Sequence, residues 1–282
     1  MHLRRRRQAI EVKVRRQCGR VVAGLVRWLP RVIVLLASGT CFARPHYVAL
    51  PATSFVSVLA TEKESTPVAL PAYSLRTEPV TQAEFLDFVD ADPSWRRDRV
   101  PGVFAEGRYL ASWLSPDQLG DEVVAQQPVT QVSWFAAQAF CASENARLPS
   151  WLEWERAASA SATTADARND PEWRQQLLDW YARPSRGSLD VLAGTPNLFG
   201  VRDLHNLVWE WVDDFNALMI TADSRDQGDP DRLKFCGEGA LSLRDRDNYA
   251  LLMRVAMLSS LKAADVTSNL GFRCVRNEGP SR

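Results

Sequence analysis

Histidine is scarce in this 282-residue chain: there are three, and with His2 and His46 at the start, His205 alone lies well inside the body. A metal site made of two or three imidazoles from one chain is therefore excluded. Cysteine is also sparse, at five residues, and no two cysteines stand in a C-x4-C spacing. There is no surplus of charge of either sign, with 34 basic against 34 acidic residues. A basic nucleic-acid-binding body does not fit that balance, because polyanion binding needs a positive surface. Long apolar runs are missing too. The uncharged stretch Val32–Ala43 has 12 residues, whereas a membrane-spanning helix needs roughly 20. What is present is core material: 46% hydrophobic residues and ten tryptophans. That content excludes a disordered chain, and the length suits one domain of roughly 200 residues or slightly more.

The neutral total is the sum of two unlike pieces. Residues 1–31 carry ten basic groups and one acid, Glu11, and residues 32–43 carry none. From Arg44 on there remain 34 − 10 = 24 basic and 34 − 1 = 33 acidic groups, a net charge of −9. A positive segment, a short apolar run (Val32-Ile33-Val34-Leu35-Leu36-Ala37) and small residues follow the order of a secretory signal. Cleavage near Ala43 fits, and Gly39 is a second candidate. The expectation is a signal sequence over 1–43, an exported, periplasmic body and no permanent membrane span after cleavage. A cytosolic protein with a basic tail is the alternative.

Within the body, residues 44–69 read as a linker or first strand. Thr81-Gln82-Ala83-Glu84 is a capping box, and Phe85, Leu86, Phe88 and Val89 follow at helical spacing until Asp92-Pro93. Residues 92–127 have no clear period and read as an irregular packed region. Pro128–Val132 reads as extended, Ser133 as the cap of a helix Trp134–Asn145, and Ser150-Trp151-Leu152-Glu153 as a second capping box opening a helix to about Ala158. Residues 161–196 read as long loops, and Asn269–Arg276 as a closing strand.

Five blocks in order resemble the formylglycine-generating enzyme, or sulfatase-modifying factor, family. They are Glu78-Pro79-Val80-Thr81-Gln82-Ala83-Glu84-Phe85; Pro128–Trp134 with Ala139-Phe140-Cys141; Arg147–Ala158; Asn197–Leu204 with Val208-Trp209-Glu210-Trp211-Val212; and Asn269–Cys274. The resemblance covers roughly residues 70–277, leaving a tail at 278–282. It implies an α+β fold: a single irregular domain, the formylglycine-generating-enzyme variant of the C-type-lectin-like fold. It also implies a disulfide between Cys141 and Cys274. Arg273 reads as a structural Arg pairing with a carboxylate, and Glu153 and Glu155 as a cap and a buried hydrogen-bonding partner.

The chemistry of the family is less complete. Its copper-dependent oxidases use two cysteines five positions apart before the final strand. Counting back from Asn269-Leu270-Gly271-Phe272-Arg273-Cys274 places them at Asp245 and Ala250. Soft Cu(I) favours two thiolates, so the standard oxidase activity is not expected. A second branch uses non-haem iron on three histidines, which this chain does not supply. At the family's calcium site, Glu210 and backbone carbonyls remain, but Asn206 replaces a Gly and Leu207 the ligand Asn. Calcium, with Glu210 and Asn206 as candidate ligands, is the implied cation. Phe235-Cys236-Gly237-Glu238-Gly239-Ala240 and Asp203-Leu204-His205 resemble a periplasmic branch associated with copper nitrite reductase systems as accessory proteins. With Cys141 and Cys274 paired, Cys236 is left as a free thiol and the candidate catalytic or metal-binding residue.

The function expected on these grounds is a binding or maturation factor for a periplasmic protein or extended peptide, with a copper nitrite reductase system as the implied setting. A divergent oxidoreductase centred on Cys236, with copper or another metal, is one alternative. A lectin-like binding module is the other.

Overall fold

Capped helix starts, each followed by an apolar stripe, carry the packing. The computed structural model describes residues 46–59, 66–121, 123–182, 192–218 and 248–278. Helix α1 (Gln82–Ala91) opens on Thr81, whose Oγ1 accepts from Glu84 N at 3.2 Å, while Glu84 Oε2 accepts from Thr81 N at 2.8 Å. Such a cap is worth about 1 kcal/mol. Helix α2 (Trp134–Ser143) is capped by Ser133. It stops short of the expected Asn145 because that residue turns left-handed, at φ 55°, a usual way for a helix to end. Helix α3 (Trp151–Ala158) opens on the Ser150/Glu153 capping box and is buried nearly all round.

Two further helices differ from the expectation of loops and undefined structure. Helix α4 (Pro171–Tyr181) lies within 161–196. Its start was legible: Asp170 Oδ1 accepts from Glu172 N and Trp173 N, and Pro171 occupies the first turn, where a missing N–H costs nothing. Helix α5 (Tyr249–Ser259) buries Ala250, Leu251, Arg254, Val255 and Leu258. Among the described residues no helix is long and apolar enough to cross a membrane.

The strands are short: β1 (Tyr47–Leu50), β2 (Thr53–Phe55), β3 (Val68–Leu70), β4 (Tyr73–Arg76), β5 (Trp209–Glu210), β6 (Leu270–Gly271) and β7 (Val275–Asn277). β1, β4 and β7 form an antiparallel sheet with β4 in the middle. β2 pairs antiparallel with β3, and β5 pairs parallel with β6. The stretch 44–69 thus contributes strands at 47–50, 53–55 and 68–69. Glu155 on α3 anchors it: the buried carboxylate accepts from Val58 N at 2.7 Å and from Ser57 Oγ, and pairs with Arg168 at 2.9 Å.

The core joins α1, α2 and the last strands. Phe85 stacks on Phe140 with centroids 5.8 Å apart, and Phe272 meets both edge-on at 6.1 and 5.4 Å. Each such pair adds about 0.5–1.5 kcal/mol beyond its burial. A disulfide between Cys141 and Cys274, both fully buried, ties α2 to the end of the chain across Cα atoms 5.5 Å apart. Gly271 passes so close to Val129 that a Cβ would lie 2.6 Å from its carbonyl oxygen, which accounts for the glycine in the closing motif. Residues 92–121 have little regular structure, yet Ala105, Tyr109, Leu110 and Trp113 are buried in the core. Arg97 gathers them by donating to the carbonyls of Leu110, Trp113 and Leu114.

Candidate functional site

The segment Val201–Trp211 and the closing motif meet in a buried polar centre. β5 alternates, so Glu210 points inward while Trp209 is half-buried. Arg273 meets Glu210 with two hydrogen bonds, Nη2 to Oε1 at 2.7 Å and Nε to Oε2 at 2.8 Å, and neither side chain is exposed. Trp154 Nε1 donates to the same Oε2 at 2.8 Å. The remaining donors of Arg273 reach the carbonyls of Arg76, Thr77 and Arg202. One ion pair therefore fastens α3, the end of β4, the 201–211 segment and the closing motif. The carboxylate partner expected for Arg273 is Glu210.

A second buried cation stands beside it. Arg254 on α5 is fully buried. Its guanidinium carbon lies 3.9 Å from the Trp154 ring centroid and 5.4 Å from that of Trp209. Nη2 donates to Leu204 O at 3.0 Å and Val208 O at 3.2 Å. Burial pulls its pKa down, against the favourable field of neighbouring groups that include Glu210. The sequence carried a signal for it: a single Arg inside the apolar run Leu251–Leu258.

These contacts bear on the calcium ligands. Both Glu210 oxygens already accept from Arg273, and one also accepts from Trp154. Two nearby carbonyls accept from Arg254, and Asn206 is exposed. The cations at this centre are guanidinium groups, and the arrangement does not fit the 6–8 free oxygens that Ca²⁺ takes. Among the described residues no three His, Cys, Asp or Glu side chains cluster to hold a metal.

Cys236 and Asp245 lie outside the described residues. Ala250 is in the first turn of α5, 6% exposed. It lines a crevice of about 10 Å³ with Trp173, Leu177 and Leu178 of α4, about the space of one water. This position offers neither a metal donor nor room for a substrate, so Cu(I) does not fit it. Glu153 is the α3 cap and also pairs with Arg147 at 2.6 Å. Glu155 is fully buried, and desolvation raises its pKa. Both are structural. His205 Nε2 lies 2.7 Å from Ala158 O, and burial pulls its pKa from 6.5 to about 4, leaving the ring neutral.

The chain matches the profile of the sulfatase-modifying factor enzyme 1-like domain (FGE-sulfatase) over residues 35–278. It is similar to the hercynine oxygenase of Mycobacterium tuberculosis, with 26% identity over 171 residues, 55% of this chain and 40% of that protein. It is similar to the formylglycine-generating enzyme of Bos taurus, with 27% identity over 191 residues, 61% of this chain and 50% of that protein. The formylglycine-generating enzyme of Mycobacterium tuberculosis shares 26% over 272 residues, 74% of this chain and 88% of that protein. The chain thus spans half or less of the length of the first two relatives. A match over most of the chain, on an irregular α+β fold closed by the Asn269–Cys274 motif, makes this protein a member of the sulfatase-modifying factor, formylglycine-generating-enzyme-like family.

Proposed function

We propose that the protein is an exported binding or maturation factor for another periplasmic protein, and that it does not generate formylglycine by the copper-thiolate route. The observation that carries this reading is Ala250. Where the family's second catalytic cysteine falls by counting back from the closing motif, the chain has a methyl group buried between α4 and α5. A scaffold that keeps the family's architecture while lacking a thiolate at that place retains the means to bind and loses the means to oxidise. The basic N-terminal segment, read as a secretory signal, supports a place of work outside the cytoplasm. The acidic body, at −9 from Arg44 on, favours a partner with a positive face. The surface that receives an extended peptide in the active relatives takes a partner segment here, and a copper nitrite reductase system is the partner that the resemblance implies.

Two measurements test this. Copper-supplied protein incubated with a Cys-x-Pro-x-Arg peptide should give no mass loss at the cysteine, and turnover would overturn the reading. Deletion of the gene should lower the copper content of the purified nitrite reductase, and restoring the wild-type chain should recover it. Full copper loading without the protein would remove that partner.

A further inference from the structure

Between the C-terminal end of α3, the Trp173–Trp180 face of α4 and the loop 195–206 lies a cleft of about 420 Å³, the size of a small-ligand site. Two indoles line it, and each is held by a neighbour. Trp173 meets the His205 ring edge-on at 5.7 Å, and Trp180 meets Tyr181 edge-on at 4.6 Å. Rings fixed before a ligand arrives reduce the ordering that binding costs. Neutral polar side chains accompany them. Gln176, Thr195 and Asn206 line the cleft, are exposed, and have side chains that hydrogen-bond to no other group among the described residues. Free charge is what the cleft lacks. Asp203 is the one formally charged lining side chain among the described residues. Its carboxylate packs on Gly194, whose N–H donates to Oδ2 at 3.3 Å, and it lies in the favourable field of Arg273. His205 is neutral, and its Nε2 is taken by Ala158 O. A charged ligand thus finds no unmet counter-charge here. A sugar ring suits such walls. Its weakly positive C–H face meets the negative face of an indole, and its hydroxyls replace water on free amides and hydroxyls.

We propose that this cleft binds the pyranose ring of an uncharged sugar, with Trp180 as the stacking face and the free side chains of Gln176, Thr195 and Asn206 as hydrogen-bond partners of its hydroxyls. The proposal does not depend on the maturation reading, because a sugar binds here whether or not the chain has a protein partner. The same ring comes as a free monosaccharide or as one unit of a glycan chain, and the experiment separates the two.

The full chain is titrated calorimetrically with the methyl pyranosides of glucose, galactose, mannose and N-acetylglucosamine. Saturable binding of at least one is expected. Tetrahydropyran, the same ring without hydroxyls, should be weaker by about tenfold or more. Trp180→Ala, at a half-buried position, should weaken the bound glycoside by roughly threefold to tenfold. Asn206→Ala, at an exposed position, should weaken it by a similar factor of roughly threefold to tenfold, and it supplies a second folded variant if Trp180→Ala melts early. A calcium chelator should leave the affinity unchanged, because no cation takes part. In a parallel arm, the bound glycoside is compared with its β-1,4-linked dimer. A dimer that binds more tightly by about tenfold or more identifies a glycan chain as the source, and one that binds equally or more weakly identifies a free monosaccharide. No saturable binding of any of these glycosides, equal binding of tetrahydropyran, affinity lost with the chelator, or affinity unchanged in both variants would overturn the proposal.

Discussion

At the scale of single residues, the burial of charge sets what each side chain can tolerate. Glu210 and Arg273 lie fully out of water in one pair. Removing one partner leaves the other uncompensated, so Glu210→Gln should lose about 3–5 kcal/mol of stability in urea unfolding. A loss under about 1 kcal/mol would mean that water reaches the pair. His205 sets a pH dependence of its own. Its pKa is near 6.5 unfolded and about 4 in the fold, because burial disfavours the charged ring. Between those values the unfolded chain binds the additional proton. The stability His205 allows is therefore complete above about pH 6.5, falls as the pH drops, and levels off below about 4, a change of roughly 3 kcal/mol. Glu155, Asp203 and Asp214, whose pKa values burial raises, act in the opposite sense. The readout is therefore the stability difference between wild type and His205→Gln, which should shrink by about 3 kcal/mol from pH 7 to pH 4. A constant difference would place the ring in solvent.

At the scale of elements, the disulfide is the strongest single tie. Cys141 and Cys274 are 133 positions apart, and closing so long a loop stabilises by about 2–4 kcal/mol. The double variant Cys141→Ala/Cys274→Ala should lower the thermal midpoint accordingly, and reduction of the wild type should match it. What was legible at this scale was local chemistry. Thr81 with Glu84 and Ser150 with Glu153 are caps that a four-residue window contains, and both formed as read. Asp170-Pro171 carried the same kind of information but lay in a polar stretch, where Trp173, Leu177 and Trp180 at helical spacing were the signal to weigh. The strands were less legible, because β5 and β6 have two residues each and take their partners from 61 positions away. No two-residue pattern specifies that. At the centre, Arg273 was readable as a paired cation. The identity of its partner, and the seating of Arg254 over Trp154, arise only when α3, α5 and the 201–211 segment meet.

At the scale of the whole molecule, the chain divides by charge into a basic N-terminal segment, 1–43, and an acidic body. A protein beginning at Arg44 keeps every described residue and should unfold in one transition at the same urea midpoint as the body of the full chain. A shifted midpoint would give residues 1–43 a structural part. Elemental analysis of that protein with and without Cys236→Ala tests the thiol: equal metal content in the two excludes Cys236 as a ligand, and loss on mutation restores the oxidoreductase reading.

The three-stranded sheet places its middle strand, β4, between a neighbour made early and one made last. As the chain is synthesised from its N-terminus, residues 73–76 gain β1 almost at once but wait some 200 positions for β7. Until then the sheet has a bare edge and Glu210 lacks its guanidinium. A chain stopped at Phe272 would lose the closing strand, Arg273 and one half of the disulfide together. Residues 273–277 thus complete the sheet, the buried ion pair and the disulfide together, and a copy lacking them should be cut by proteases faster than the whole chain.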